Sequence, residues 1–227
     1  MAKRSIFKQG KKYTFRDYFD LPHPVEEIIA EFGYSYSLTL LNLPTTENHN
    51  SHSVQRLQEN YYKVLPKITL NSEAAKREFL IAPILFEIAK DTNARISVEY
   101  PIEIDDKLGG YLDYLIRAQK FPPIPESPPD KSPEQVVIIE AKKGDIDRGF
   151  NQLAAELIAL DKYEPTIEEN GIPMLYGVVT IGELWIFSQL DRRTKHISRD
   201  MHNYTIPKDV EEIFKILVGI IEQPSKH

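Results

Sequence analysis

The chain has 227 residues, of which 41% are hydrophobic and 27% charged, and this composition is typical of a soluble globular chain of about one domain. It has no cysteine, which excludes disulfides, zinc ribbons, iron–sulfur clusters and thiol nucleophiles and leaves oxygen-rich sites that favour Mg²⁺ or Mn²⁺. The net charge of −6 is acidic for a protein that binds nucleic acid, and the basic N-terminus lacks the apolar segment of a signal peptide.

No apolar run approaches the roughly 20 residues that cross a bilayer, so we expect no membrane association and a cytoplasmic location. Residues 1–70 are predicted to form a mostly helical N-terminal extension packed on the core. Pro24 and Gly33 bound one short helix. The stretch 51–65 has apolar residues at helical spacing, at Val54, Leu57, Tyr61, Val64 and Leu65.

A clearer helix is predicted at about residues 72–90. Asn71 or Ser72 can cap it, Glu73 favours the positive end of its dipole, and Pro83 should kink it. The period then changes to that of a strand at 95–102. Gly109-Gly110 is predicted to be a turn, and 111–118 a second strand.

Six prolines between residues 121 and 133 predict a surface loop. Residues 136–142 then predict a buried central strand that ends in charged residues. A helix at 150–160, a hairpin of strands at 174–181 and 184–190, and an amphipathic helix at 209–221 complete the chain. The predicted fold class is α/β, with an αβββαβ core and a central mixed sheet flanked by helices.

Three charged residues interrupt otherwise apolar strands. Glu140 and Lys142 are two residues apart and therefore share a face of their strand, while Asp113 is the single charge in the earlier strand. A Glu-x-Lys at a strand end is commonly an ordinary ion pair. If the two strands are neighbours, however, both carboxylates and the carbonyl of Ala141 could bind a divalent cation, and Lys142 could orient or deprotonate a water.

The chain resembles the PD-(D/E)XK nuclease superfamily in carrying Asp113 on one strand and Glu140-Ala141-Lys142 on a later one. Longer segments are similar to a restriction-endonuclease-like family associated with cyanobacteria: NSEAAKREFLIAPIL, GGYLDYL, VVIIEAKKGDIDRGFNQLAAELIAL and LYGVVTIGELWIF. The resemblance implies a nuclease-like domain at 71–227, with Asp113 and Glu140 as metal ligands and Lys142 as the catalytic lysine. Leu112 stands where the name of the superfamily has proline.

The resemblance also implies a glutamate on the first helix and a glutamine on the helix after the Glu-x-Lys strand. Glu78 lies one turn before apolar positions and is the preferred catalytic and metal-ligand candidate, with Glu73 a close second. Gln152 would hold the lysine or the substrate, and Glu156 is one turn further on the same face. A solvated or ordinary helix face is the alternative explanation for each of these four residues.

Three functions are compatible with these observations. The first is a Mg²⁺-dependent DNA endonuclease, for which a restriction or defence role and a homodimeric state would be typical. The second is a catalytically silent nuclease-fold protein that binds nucleic acid or a protein partner. The third is an unrelated α/β domain in which Glu140 and Lys142 form a structural ion pair. The sequence does not distinguish DNA from RNA as the substrate.

Overall fold

The computed structural model describes residues 5–47, 51–118, 136–141, 144–164 and 172–223, and for 136–141 it describes the backbone. Within these ranges, eight strands form one mixed sheet in the order β1-β7-β6-β5-β4-β3-β2, with β8 beside β6. The strands are Ser35–Thr39 (β1), Ala94–Asp105 (β2), Leu108–Ala118 (β3), Val136–Ala141 (β4), Met174–Thr180 (β5), Leu184–Asp191 (β6), His196–Asp200 (β7) and Tyr204–Thr205 (β8).

Helices cover both faces of this sheet. They are Phe15–Phe19 (α1), Val25–Ala30 (α2), Ser51–Val64 (α3), Glu73–Lys76 (α4), Ala82–Asp91 (α5), Ile146–Tyr163 (α6) and Val210–Ile221 (α7), with a 3₁₀ turn at Leu65–Lys67. One hydrophobic cluster contains residues of α3, α5 and α7, and the other contains residues of α1, α2 and α6. The predicted α/β class with a mixed sheet and flanking helices is therefore confirmed.

The helix predicted at 72–90 is present, but it is not uniform. The Ser72 hydroxyl accepts a hydrogen bond from the Ala75 N–H, as expected of a cap. Between α4 and α5, residues Arg77–Ile81 form a π-helical turn. Pro83 has no N–H to donate to the preceding turn, which accounts for the departure from α-helical bonding just before it.

The glycine pair does not form the predicted turn. β2 and β3 form a long hairpin whose turn is at Asp106 and Lys107, where the Asp105 carboxylate accepts hydrogen bonds from the N–H groups of Lys107 and Leu108 at 2.8 and 3.0 Å. Gly109 and Gly110 lie inside β3. Gly110 has φ +137°, and a Cβ there would lie 3.1 Å from Phe15 Cδ2 of α1, so the glycine permits this close approach.

The hairpin of β5 and β6 is confirmed, whereas three strands were not predicted. β1, β7 and β8 are short, and β1 joins the sheet through parallel pairing with β7, from Ser35 with His196 to Thr39 with Asp200. The N-terminal segment is thus less helical than expected. Phe15, Tyr18 and Ile28 belong to the second hydrophobic cluster, which places this segment in the core of the described chain.

The predicted loop at 121–133 lies outside the described residues. None of the helices in the ranges given above combines the length and the apolar character that a bilayer crossing requires.

Candidate active site

The two strands that carry the candidate carboxylates are direct neighbours. β3 and β4 pair antiparallel, with Arg117 across from Val136 and Tyr114 across from Ile139. The pairing ends at Tyr114 with Ile139, and Asp113 and Glu140 are the next residues of their two strands. Both candidate carboxylates therefore belong to residues that directly follow the last paired positions of neighbouring strands.

On β3, the apolar residues before and after Asp113 pack on different faces of the sheet. Tyr114 and Ile116 pack in the cluster of α3, α5 and α7, whereas Leu112 packs in the cluster of α1, α2 and α6. On the neighbouring strand, Glu99 has a left-handed backbone with φ +51°. Because of this irregularity, Asp113 lies at the rim between the two clusters, and its side chain is 18% exposed.

Position 140 is placed by its other neighbour. β4 runs parallel to β5, with Glu140 paired with Val179 and Ala141 with Thr180. Val179 is fully buried in the cluster that contains α6. Paired positions share a face of the sheet, so position 140 is on the face covered by α6. Lys142 directly follows the last residue of this strand and lies outside the described residues.

Arg77, in the π turn, contacts Asp113. Its guanidinium lies 3.4 Å from Asp113 Oδ1 and 3.7 Å from Glu99 Oε1, and its Nε donates to the Tyr114 hydroxyl at 3.5 Å. The pKa of Arg77 is raised above its ordinary value: burial lowers it most strongly, but the Tyr114 hydroxyl and the Asp113 and Glu99 carboxylates outweigh burial. Sequence reasoning missed this residue.

The two candidate glutamates of the first helix differ in exposure. Glu78 is exposed and Glu73 is half-buried, and the Arg77 side chain contacts Asp113. Glu78 was placed by assuming regular α-helical spacing to Ile81 and Leu85. The π turn changes that spacing, and the roles of Glu78 and Glu73 at the site stay predictions.

Gln152 and Glu156 lie on α6, whose residues from Gly149 to Asp161 are all buried and which covers the side of the sheet that holds position 140. Gln152 is 5% exposed and Glu156 is fully buried, and the Gln152 Nε2 group donates to Glu156 Oε1 at 2.9 Å. Among the described residues, none donates a hydrogen bond to Gln152 Oε1. Burying such a pair is costly, which indicates that further polar groups face it.

The other buried polar residues of α6 have evident structural roles. Asn151 donates to the carbonyl of His23 at 3.1 Å, and Asp161 contacts Arg192 and Lys195. Gln152 and Glu156 differ from them in that their hydrogen bond joins two residues of the same helix.

The donor set suits a hard divalent cation. Asp113, Glu140 and the Ala141 carbonyl would supply oxygen atoms alone, as Mg²⁺ and Mn²⁺ prefer. Among the side chains that the structure describes, no group of three or more His, Asp or Glu residues could hold a metal ion. The structure describes the backbone of Glu140 but not its side chain, so this absence does not cover the proposed set of ligands.

Comparison with models of known protein families gives no match, and comparison with curated proteins gives none either. The similarity to the PD-(D/E)XK superfamily therefore stays a prediction made from the residues.

Proposed function

We propose that this protein is a divalent-metal-dependent nuclease that hydrolyses phosphodiester bonds of DNA, with Asp113, Glu140 and Lys142 as the core of its active site. The observation that carries the proposal is the pairing of β3 with β4, since Asp113 and Glu140 are the residues next to its last pair, Tyr114 with Ile139. The proposed fold is correspondingly the restriction-endonuclease-like αβββαβ core. It would comprise the helical segment 73–91, β2, β3, β4, α6 and β5.

The proposed roles follow from the chemistry of each group. A divalent ion held by Asp113, Glu140 and the Ala141 carbonyl would polarise the phosphodiester and lower the pKa of a bound water. The Lys142 amine would orient that water or stabilise the negative charge that develops on the phosphate. The Gln152 amide oxygen, which accepts no hydrogen bond from the described residues, would accept one from the Lys142 amine.

Two observations favour a second candidate, a catalytically silent protein of the same fold that binds nucleic acid or another protein. The net charge is −6, and a guanidinium already lies 3.4 Å from Asp113. A positive side chain at that distance partly neutralises the carboxylate charge that would attract a metal ion.

A plasmid-nicking assay with and without Mg²⁺ tests the proposal. We expect Mg²⁺-dependent nicking by the wild-type protein and a loss of about 100-fold or more in Asp113→Asn and Lys142→Gln, because each change removes a charge from the reacting centre. Circular dichroism at matched temperatures verifies that the variants remain folded.

Matched controls remove the same charges from exposed positions elsewhere. Asp106→Asn, in the β2–β3 turn, and Lys63→Gln, on α3, should retain wild-type nicking. Mg²⁺-dependent nicking that persists in both site variants would contradict the assigned site. Absence of nicking by the wild-type protein on DNA and RNA would favour the silent candidate.

A further inference from the structure

We infer that the Arg77 guanidinium balances the charge of the Asp113 carboxylate before a divalent cation binds, and that it competes with the cation for this carboxylate. The inference rests on the proposed function, because it assumes that Asp113 is a metal ligand. It adds a positively charged residue beside the carboxylate ligands and predicts how that residue affects the affinity of the site for the metal.

The guanidinium is held near Asp113 by groups other than Asp113. Its carbon lies 5.2 Å from the centre of the Tyr114 ring, and the Tyr114 hydroxyl accepts a hydrogen bond from Nε. The Arg77 side chain is 19% exposed. Packing against the ring therefore positions the Arg77 guanidinium at the rim, where Asp113 and Glu99 are both within 4 Å of it.

The contact with Asp113 is suited to exchange. Charge-assisted hydrogen bonds between nitrogen and oxygen are about 2.7–2.9 Å long. Arg77 is 3.4 Å from Asp113 Oδ1 and 3.7 Å from Glu99 Oε1. Arg77 thus contributes charge near Asp113 without a short, directional bond that would have to break, and Glu99 provides a second carboxylate toward which it can move.

Competition follows from the charges. A divalent cation binds carboxylate oxygens at about 2.0–2.6 Å, which would bring it within a few ångströms of the guanidinium. Two positive charges at that distance repel each other, more strongly at a partly buried rim than in water. Removal of the Arg77 charge should therefore strengthen metal binding by the free protein.

The adjacent Lys76 offers a matched control. It lies on the same helical segment but pairs with Glu183 at 3.0 Å, in the connection between β5 and β6. Lys76→Gln removes one positive charge close to Arg77 in the chain without touching Asp113. It therefore reports the general effect of net charge on metal affinity.

The test is titration calorimetry of Mg²⁺ into the DNA-free protein. We expect Arg77→Gln to lower the Mg²⁺ dissociation constant about threefold to tenfold, the range of a partly buried charge interaction. Lys76→Gln should leave the constant within about twofold of the wild type. Arg77→Met, which retains the apolar stem against the Tyr114 ring, should give the same increase in affinity if the glutamine variant fails to fold.

The outcomes separate the two proposals. Tighter Mg²⁺ binding in Arg77→Gln or Arg77→Met, with Lys76→Gln unchanged, supports competition at Asp113. Unchanged or weaker binding in a folded Arg77 variant overturns it while leaving the proposed function intact. If the wild-type protein binds no Mg²⁺, the proposed metal site itself fails, and the contact between Arg77 and Asp113 is a structural ion pair.

Discussion

Asp161 shows how a buried charge near the end of α6 stabilises this fold. Arg192 Nε and Lys195 Nζ lie 2.7 and 2.6 Å from its two carboxylate oxygens, and the Tyr34 hydroxyl also donates to it. The pKa of Asp161 is lowered below its ordinary value: burial raises it most strongly, but the hydrogen bonds from these three groups outweigh burial. The carboxylate thus connects α6 with the segments that precede β1 and β7.

Replacing Asp161 with asparagine should destabilise the protein by about 3 kcal/mol at pH 7, because a buried Arg192 would lose its counter-charge. Urea unfolding measures the loss. A carboxyl whose pKa is lowered by folding stabilises the protein above its unfolded pKa, near 4, and this stabilisation is lost as the pH falls through the folded pKa. The difference between the wild type and Asp161→Asn should therefore shrink below about pH 4.

The surface pair of Asp147 and Arg199 is the control for that measurement. Their charged atoms are 2.7 Å apart, but the Asp147 side chain is 78% exposed. Asp147→Asn should cost no more than about 1 kcal/mol, as is usual for exposed ion pairs. Equal losses in the two variants would contradict a dominant role of burial and multiple hydrogen bonds at Asp161.

At the scale of elements, α7 packs closely against the backbone of Pro44 and Thr45. A Cβ at Gly219 would lie 2.6 Å from Thr45 Cα and 2.7 Å from the Pro44 carbonyl oxygen, both backbone atoms that cannot rotate away. In an unhindered helix, alanine stabilises by about 1 kcal/mol relative to glycine. Here we expect Gly219→Ala to destabilise by about 1–3 kcal/mol, as overpacking does.

The urea midpoint of Gly219→Ala, compared with that of Gly144→Ala, checks this prediction. A Cβ at Gly144 meets no atom within 4 Å, so alanine there should be close to neutral. A higher midpoint for Gly219→Ala than for the wild type would mean that helix propensity exceeds the steric cost and that residues 44 and 45 can move away.

The elements that the sequence revealed are those whose signals are local. The helix at 73–91 has its cap at Ser72 and apolar residues at helical spacing, and the β5–β6 hairpin has two apolar runs separated by Gly182-Glu183. β1 has no comparable signal, because its strand conformation depends on pairing with β7, about 160 residues away along the chain. The pairing of β3 with β4 could be anticipated from the apolar strands, whereas the approach of Arg77 could not, since it depends on a π turn.

For the whole molecule, the N-terminal segment contributes to both the sheet and the core. Tyr13, Phe15 and Tyr18 are buried beside the β2–β3 hairpin, and the Tyr18 hydroxyl donates to the Lys107 carbonyl at 2.6 Å. Ile28 and Ile29 are fully buried in the cluster that contains α6. The boundary at residue 70 stays a prediction, but this packing argues that residues 71–227 depend on what precedes them.

A chain of residues 71–227 should therefore fail to form a cooperative native state. It would expose the face of α6 that α1 and α2 cover and leave β7 as an unpaired edge, which favours aggregation. Near-ultraviolet circular dichroism and urea unfolding test the fragment, and adding residues 1–70 as a separate peptide should restore both signals. A sharp urea transition in the fragment alone would establish it as a self-sufficient domain. The N-terminal packing would then be a docked extension and not part of the folding unit.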